Sequence, residues 1–350
     1  MRTLLKTARE QKGLKTRELA QMMGIDQALV SKFESGTRKP TKDQVLKLST
    51  ILEISYETLM VAWLKEKILY EIGDDALALK ALKEAEEEIK YLRSATNNII
   101  SKQLQVVLDE IDALKKKLDQ FRQFDSYRIA QALELEYTFE SNRIEGNTLT
   151  LRETDLVINE GLTISGKSMR EHLEAINHQE AIAHIKHLME KNSSLNEREV
   201  LSIHNLILRG INPEDAGRYR KKVQVMIKGS SYLPPQPYMV AKDMEDFYIW
   251  YETHKNNLHP VVLAAEMHER LVTIHPFIDG NGRTSRLVMN LILLQHGYVI
   301  ANIKGDYDNR MRYYQSLETA QTQNNKEDFL LFIAQIEKES LERYIGIIGQ

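Results

Sequence analysis

The residues His275-Pro276-Phe277-Ile278-Asp279-Gly280-Asn281-Gly282-Arg283-Thr284-Ser285-Arg286 put an imidazole, a carboxylate, a Gly-Asn-Gly turn and two guanidinium groups within one short run. Each group suits a different part of a reaction on a phosphate ester. A histidine can accept a proton from an attacking hydroxyl. A carboxylate can hold Mg²⁺ through oxygen. Glycines let backbone N–H groups come close to an anion. Arginines neutralise phosphate oxygens with paired hydrogen bonds.

The flanking sequence supplies two helices. Residues 263–274 (LAAEMHERLVTI) carry apolar positions at helical spacing among strong helix formers. Pro276 and the glycines stop that helix. Residues 284–295 (TSRLVMNLILLQ) begin another, nearly all apolar and therefore expected to be buried. The run is then a loop feeding a helix N-terminus, a natural place for a diphosphate. Arg283 and Arg286, three apart, share one face of the first turn. The bland alternative is a Gly-rich turn between two core helices.

The run resembles the signature of Fic-domain proteins, His-x-Phe-x-Asp/Glu-Gly-Asn-Gly-(Lys/Arg)-x-x-Arg, at every defined position. The resemblance implies a mainly α chain whose C-terminal domain is an all-helical Fic fold with a small β-hairpin flap. It also implies transfer of AMP from ATP to a Ser, Thr or Tyr hydroxyl of a target protein, or of the chain itself. In that reaction His275 is the general base and Asp279 holds Mg²⁺. Gly280, Asn281 and Gly282 form the anion hole, Arg283 takes the β-phosphate and Arg286 the γ-phosphate. Family variants with Lys at the second glycine transfer phosphate differently, and Gly282 argues against them.

A second match lies upstream. Ser141-Asn142-Arg143-Ile144-Glu145-Gly146-Asn147 resembles the inhibitory (Ser/Thr)-x-x-x-Glu-(Gly/Asn) motif of many Fic proteins, in the subclass that carries it ahead of the catalytic motif. Ser141 and Glu145 are four apart and share a helix face. By resemblance Glu145 pairs with Arg286. A carboxylate there competes with the γ-phosphate and leaves ATP in an unreactive pose. Some Glu-bearing members also remove AMP, which keeps that reaction open here. A capped helix end with a surface glutamate is the plain alternative.

Val223, Gln224, Val225, Met226 and Ile227 read as an extended arm, Gly229-Ser230 as a turn, and Tyr232-Leu233 as a return before Pro234-Pro235. This pattern predicts a β-hairpin. In Fic proteins the corresponding flap holds the target by strand pairing, so 223–233 is the candidate target-binding edge, with a plain surface hairpin as the alternative. Gly217-Arg218-Tyr219-Arg220 just before it also resembles the family.

The rest of the chain bounds the reading. With 350 residues, 42% hydrophobic and 28% charged, it is an ordinary globular chain of two or three domains. It has no cysteine, which excludes disulfides, thiolate metal sites and a cysteine nucleophile and fits a reducing cytoplasm. No apolar stretch approaches a membrane span, and the charged residues soon after Met1 leave no signal-peptide core. The expectation is a cytoplasmic protein with no membrane partner.

Residues 1–50 contain 11 Lys or Arg against 5 Asp or Glu, a net +6, so the remainder carries −9 of the overall −3. A basic head on an acidic body points to a polyanion at the head. Residues 15–40 (KTRELAQMMGIDQALVSKFESGTRKP) read as two helices joined at Gly24, the second capped by Asp26. Leu19, Ala20, Ile25, Val30 and Phe33 would pack between them at helix-turn-helix spacing. Leu19-Ala20, Gly24-Ile25, Val30-Ser31, Phe33-Glu34, Gly36 and Arg38-x-Pro40 resemble the Cro-like repressor family. That resemblance implies a recognition helix in the major groove of DNA, with Gln27, Ala28, Ser31 and Lys32 outward. Lys15, Arg17, Thr37, Arg38 and Lys39 would contact phosphates. A small helical adaptor with solvated lysines is the alternative.

The expected domains are 1–60 (helix-turn-helix), 61–125 (helical connector) and 126–350 (Fic domain with its inhibitory helix). In the connector, Leu79 to Tyr91 is rich in helix formers. Ile100, Leu104, Val107, Ile111, Leu114, Leu118 and Phe121 step by four and three, a heptad seam about 32 Å long. It reads either as a dimerising coiled coil, giving a homo-oligomer, or as a helix packing on its own body. His268-Glu269 begins like a zinc protease motif but lacks the second histidine, and His184 with His187 has no evident third ligand. No P-loop or dinucleotide fingerprint occurs. Two function classes remain: a protein adenylyltransferase with a DNA-binding head, and an ATP-sensing transcription regulator without transferase activity. The intact His275 favours the first.

Overall fold

The computed structural model describes residues 1–73, 77–83, 100–121, 127–191, 193–227, 229–323 and 325–348. Among these residues the chain is helical and contains no strand. It divides into two units, 1–97 and 98–350.

In the first unit, α1 (Arg2–Gln11), α2 (Thr16–Met23), α3 (Gln27–Ser35), α4 (Lys42–Leu52) and α5 (Tyr56–Ile72) enclose one core. Gly24 ends α2 at φ 68°, a left-handed conformation that only glycine adopts cheaply. Asp26 then caps α3 by accepting from Ala28 N at 2.6 Å. Leu19, Ala20, Val30 and Phe33 are buried between the two helices, as their spacing predicts. The unit does not end at residue 60. Leu59 and Trp63 of α5 are buried in the same core, and Trp63 Nε1 donates to Pro40 O at 2.8 Å. At least the first two turns of α5 therefore belong to the head rather than to a connector.

The second unit holds α6 (Lys102–Phe121), α7 (Tyr127–Ile144), α8 (Leu151–Asn159), α9 (Met169–Glu190), α10 (Glu197–Leu208), α11 (Val240–His254), α12 (Pro260–Ile274), α13 (Asn281–Gln295), α14 (Tyr307–Gln323) and α15 (Glu327–Ile348). α12 and α13 form its centre. Leu263, Ala264, Met267, Leu271, Leu287, Val288, Met289 and Leu291 are fully buried, each large side chain contributing about 1.5–3 kcal/mol.

The heptad seam is not a dimer surface. Leu104, Leu108, Ile111 and Leu118 are buried in the body's own core, with Ile100, Val107 and Leu114 partly buried against it, and α6 packs along α15. Lys338 of α15 pairs with Glu110 at 2.7 Å across that contact. The coiled-coil reading is thus corrected: a single apolar stripe satisfies an intrachain neighbour as readily as a second copy. The body accordingly begins before residue 126. The predicted helix at Leu79 to Tyr91 lies largely outside the described residues.

The flap is also corrected. Residues 223–227 and 229–235 run as two arms without a strand ladder. Ser230 N donates to Ile227 O at 3.2 Å, closing the turn, and Gln224 Nε2 reaches Pro234 O at 3.0 Å. Pro234 and Pro235 have no N–H to offer a partner arm. Side chains replace the missing ladder, and Glu318 of α14 holds the tip through Ser231 N at 2.7 Å and both serine hydroxyls.

Candidate active site

α12 ends at His275, whose φ of 50° is left-handed. A non-glycine residue there is uncommon and costs about 1 kcal/mol or more. The bend turns the chain from α12 into α13. Phe277 is fully buried, and Asn281 staples the loop by accepting from Phe277 N at 3.0 Å and donating to Phe277 O at 2.9 Å. Gly280, at φ 79°, is the N-cap of α13. The first-turn amides of Asn281, Gly282 and Arg283 have no intrahelical acceptor, which leaves them for an anion.

His275 Nδ1 donates to Val272 O at 3.1 Å. That bond fixes the tautomer and leaves Nε2 with a lone pair. Burial lowers the pKa of His275; Arg220 lowers it further, and the Val272 bond, Glu145 and Asp279 oppose. The imidazole is therefore neutral at physiological pH, as a base must be.

The carboxylate of Asp279 is held by three donors: Gly280 N at 2.6 Å, Arg170 Nη2 at 2.5 Å and Arg283 Nη2 at 3.4 Å. Burial would raise its pKa, but Arg283, Arg170 and the Gly280 amide outweigh burial and lower it. A charged, partly exposed carboxylate is a suitable Mg²⁺ ligand. Its outward oxygen already carries a cation, the guanidinium of Arg170, and that is the observation that fits it to a metal. Among the described residues no three His, Asp or Glu side chains gather as a complete metal cage, and Asp279 is the residue that would hold the ion.

Both motif arginines are buried, Arg283 at 2% and Arg286 at 1% exposure. Arg283 Nη1 faces Glu174 Oε1 at 3.3 Å. Arg286 is bound by the upstream motif: Nε donates to Ser141 Oγ at 3.0 Å, and Nη2 donates to Ser141 O at 2.9 Å and Glu145 Oε1 at 2.7 Å. Burial opposes the charge of Arg286, yet Glu145 outweighs it and raises the pKa. The Arg286 Nη1 group has no hydrogen-bond partner among the described residues and lies over Gly282. A Cβ built on Gly282 would collide with Glu145 Oε1. The glutamate thus covers the cradle that the first-turn amides line. The predicted set of His275, Asp279, Gly280, Asn281, Gly282, Arg283, Arg286, Ser141 and Glu145 comes together in one place.

Sequence reading missed four residues of this site. Arg170 and Glu174, one turn apart on α9, link Asp279 to Arg283, with Arg170 Nε donating to Glu174 Oε1 at 3.1 Å. His204 stacks on Phe277 with ring centroids 3.6 Å apart. Gly217 N donates to its Nδ1 at 2.9 Å, so Nε2 carries the proton and donates to Asp279 O at 2.9 Å. Arg220 donates to His275 O at 2.8 Å. Only Arg220 carried a signal, in the Gly217-to-Arg220 match; the others are partners at long sequence separation.

His204 and His268 make a testable contribution to stability. Burial pushes them down to about 4 and about 3, from 6.5. The unfolded chain therefore binds more protons below pH 6.5. Stability is lost as pH falls from 6.5 toward those values, by roughly 1.4 kcal/mol per pH unit for each histidine. Urea unfolding should show a lower midpoint at pH 5 than at pH 7, and His204→Gln should flatten the dependence.

In the head, Arg17, Gln27, Ala28, Ser31, Lys32 and Arg38 are exposed, and Gln27 Nε2 donates to Thr16 Oγ1 at 3.1 Å. Lys39 is a correction to the phosphate set: its ammonium donates to Glu66 O at 2.9 Å and lies over the Tyr70 ring. It serves the fold of the head.

A model of the Fic/DOC family matches residues 194–293, which include the bend, His204, Arg220 and the flap. The chain carries a Fic domain. A helix-turn-helix model matches residues 5–59. Protein adenylyltransferase Fic of Nematostella vectensis is 34% identical over 246 residues, 69% of this chain and 56% of that protein. Protein adenylyltransferase Fic of Drosophila melanogaster is 35% identical over 211 residues, 60% of this chain and 42% of that protein. The chain thus spans about half the length of the curated relatives it matches. A Fic domain containing signaling protein from Bacteroides thetaiotaomicron has a similar structure, with a TM-score of 0.63 and 26% identity over 69% of this chain and 98% of that one. The Fic motif, the upstream glutamate and the helical body therefore occur here together with a helix-turn-helix head.

Proposed function

We propose that this chain is a protein adenylyltransferase that moves AMP from ATP to a hydroxyl side chain, of another protein or of itself, and that Glu145 restrains it. The observation that carries the proposal is the free Nε2 of a neutral His275 beside a helix N-terminus and two buried arginines. In the reaction the target hydroxyl gives its proton to His275 Nε2. Its oxygen bonds to the α-phosphorus as the bond to the bridging oxygen breaks, and pyrophosphate leaves. The first-turn amides and Arg283 and Arg286 stabilise the charge that develops on the phosphates. Mg²⁺, when held by Asp279, would supply Lewis-acid neutralisation of phosphate oxygens. A glutamate on Arg286 denies that arginine to the γ-phosphate. A pure nucleotide sensor has no need of a base at His275. Mass spectrometry of the Glu145→Gly chain and its co-purifying proteins tests the reading. AMP on a Ser, Thr or Tyr is expected; an unmodified set under conditions where ATP binds would remove it.

The head supports DNA as a partner, through Arg17, Gln27, Ala28, Ser31, Lys32 and Arg38. Replacing Arg17, Lys32 and Arg38 by alanine should weaken binding to a random duplex at least tenfold at low salt and reduce the slope of log affinity against log salt by about one per lost phosphate contact. Lys39→Ala should leave that slope unchanged. Fluorescence anisotropy reads both. Self-association, which no longer rests on α6, is supported by Val61, Leu64 and Ile68, which are exposed on α5 away from the face that buries Leu59 and Trp63.

A further inference from the structure

Arg220 is a buried cation that forms no ion pair with a carboxylate among the described residues. It is 2% exposed, and its guanidinium is surrounded by main-chain oxygens. Nε donates to His275 O at 2.8 Å. Nη2 donates to Pro235 O at 2.7 Å and Ile274 O at 3.4 Å, and Nη1 to Val223 O at 3.4 Å. Its backbone N donates to Pro276 O at 2.9 Å. Val223 and Pro235 stand on the two arms of the flap, and Ile274, His275 and Pro276 form the bend. A buried charge without a counter-ion is costly. Here burial lowers the pKa, and Asp243 compensates only in part. A residue needed only to fill space would be apolar.

We propose that Arg220 is a positioning residue that clasps both arms of the target-binding flap onto the bend that carries His275, so that the docked segment and the catalytic imidazole share one anchor. The flap has no strand ladder of its own, so its two arms depend on side chains for their placement. Its tip is tied to α14 by Glu318 and its base to the bend by Arg220. Tyr232 adds a bond from its hydroxyl to Thr273 O at 3.3 Å, on the turn that precedes His275. A planar fork of five donors can reach four carbonyls; a lysine ammonium with three donors on one atom cannot. The same cation acts electrostatically on the imidazole. Apart from burial, the influences on His275 are the Val272 carbonyl, Arg220, Glu145 and Asp279, and among them Arg220 alone disfavours the protonated form.

The clasp rests on reading the site as a hydroxyl-modifying centre with a target-holding flap. Its test uses neither nucleotide nor target, so its failure is separate from the failure of that reading. Full-length wild type, Arg220→Lys and Arg220→Gln are compared in two ways. Hydrogen exchange is followed in peptides covering 220–235, and the His275 ring is titrated by NMR of histidine-labelled protein, its signal assigned by its loss in His275→Ala. In both variants flap exchange should quicken about tenfold, with α9 and α13 unchanged. The His275 midpoint should stay in place in Arg220→Lys, which keeps the charge, and rise by about half a unit to one unit in Arg220→Gln. Flap exchange unaltered in Arg220→Lys would overturn the clasp, and so would an unmoved midpoint in a folded Arg220→Gln. If Arg220→Gln does not fold, Arg220→Lys decides alone.

Discussion

Replacing Glu145 by glycine is expected to destabilise the nucleotide-free protein and, at the same time, to tighten ATP binding. Arg286 is fully buried and keeps two bonds to Ser141, but among the described residues Glu145 is its only carboxylate partner. Losing a charged hydrogen bond to a buried cation costs about 1–3 kcal/mol, which lowers the melting temperature by a few degrees in a domain of this size. The γ-phosphate then meets a buried guanidinium without a competing Glu145 carboxylate. Because Glu145 also lies over Gly282, its removal opens the amide cradle as well. ATP affinity should rise about ten- to a hundredfold, and the ATP-induced rise in melting temperature should exceed that of the wild type. Calorimetry and thermal unfolding with and without ATP measure the two effects. A variant that loses stability without gaining affinity would show that the ion pair is structural only.

Replacing His275 by alanine in the Glu145→Gly background is expected to lower the transfer rate by about 10²–10⁴, the usual contribution of a positioned general base, while ATP affinity stays within a few-fold. The imidazole makes no contact with the arginines that hold the triphosphate in this reading, so binding and chemistry separate. The pH dependence has a definite sign. The His275 pKa lies below 6.5, chiefly because the ring is buried. The rate should be flat through neutral pH and fall on the acid side below 6.5, as the base protonates. A rate that climbs through pH 7 to 8 would require a different base.

Much of this site is legible in the sequence because its parts are local. The run from His275 to Arg286 holds base, carboxylate, cradle and both arginines within one bend and one helical turn. Ser141 and Glu145 need only the four-residue helical spacing to face the same way. The head is legible for the same reason: Gly24, Asp26 and the apolar positions around them fix two short helices. What is not legible depends on partners far away in the chain. The seam on α6 has the heptad pattern of a dimer, and only the presence of α15 decides its partner. The flap has the composition of a hairpin, yet Pro234 and Pro235 remove donors, and Glu318 and Arg220 hold it from other elements. His204 lies on an otherwise apolar helix face beside Ile203 and Ile207, where a histidine reads as core; its bond to Asp279 O becomes visible only with the fold. Lys39 looks like its neighbour Arg38 until α5 presents Glu66 O to it.

The central claim is that a neutral imidazole beside the amide cradle directs AMP onto a protein hydroxyl once the Glu145 carboxylate is gone. The most direct measurement is incubation of wild type, Glu145→Gly and Glu145→Gly/His275→Ala with ATP labelled at the α-phosphate, followed by counting protein-bound label in a cell extract. Strong labelling with Glu145→Gly, little with wild type and none with the double variant is the predicted result. Equal labelling with and without His275, or no labelling by a Glu145→Gly protein shown to bind ATP, would contradict it.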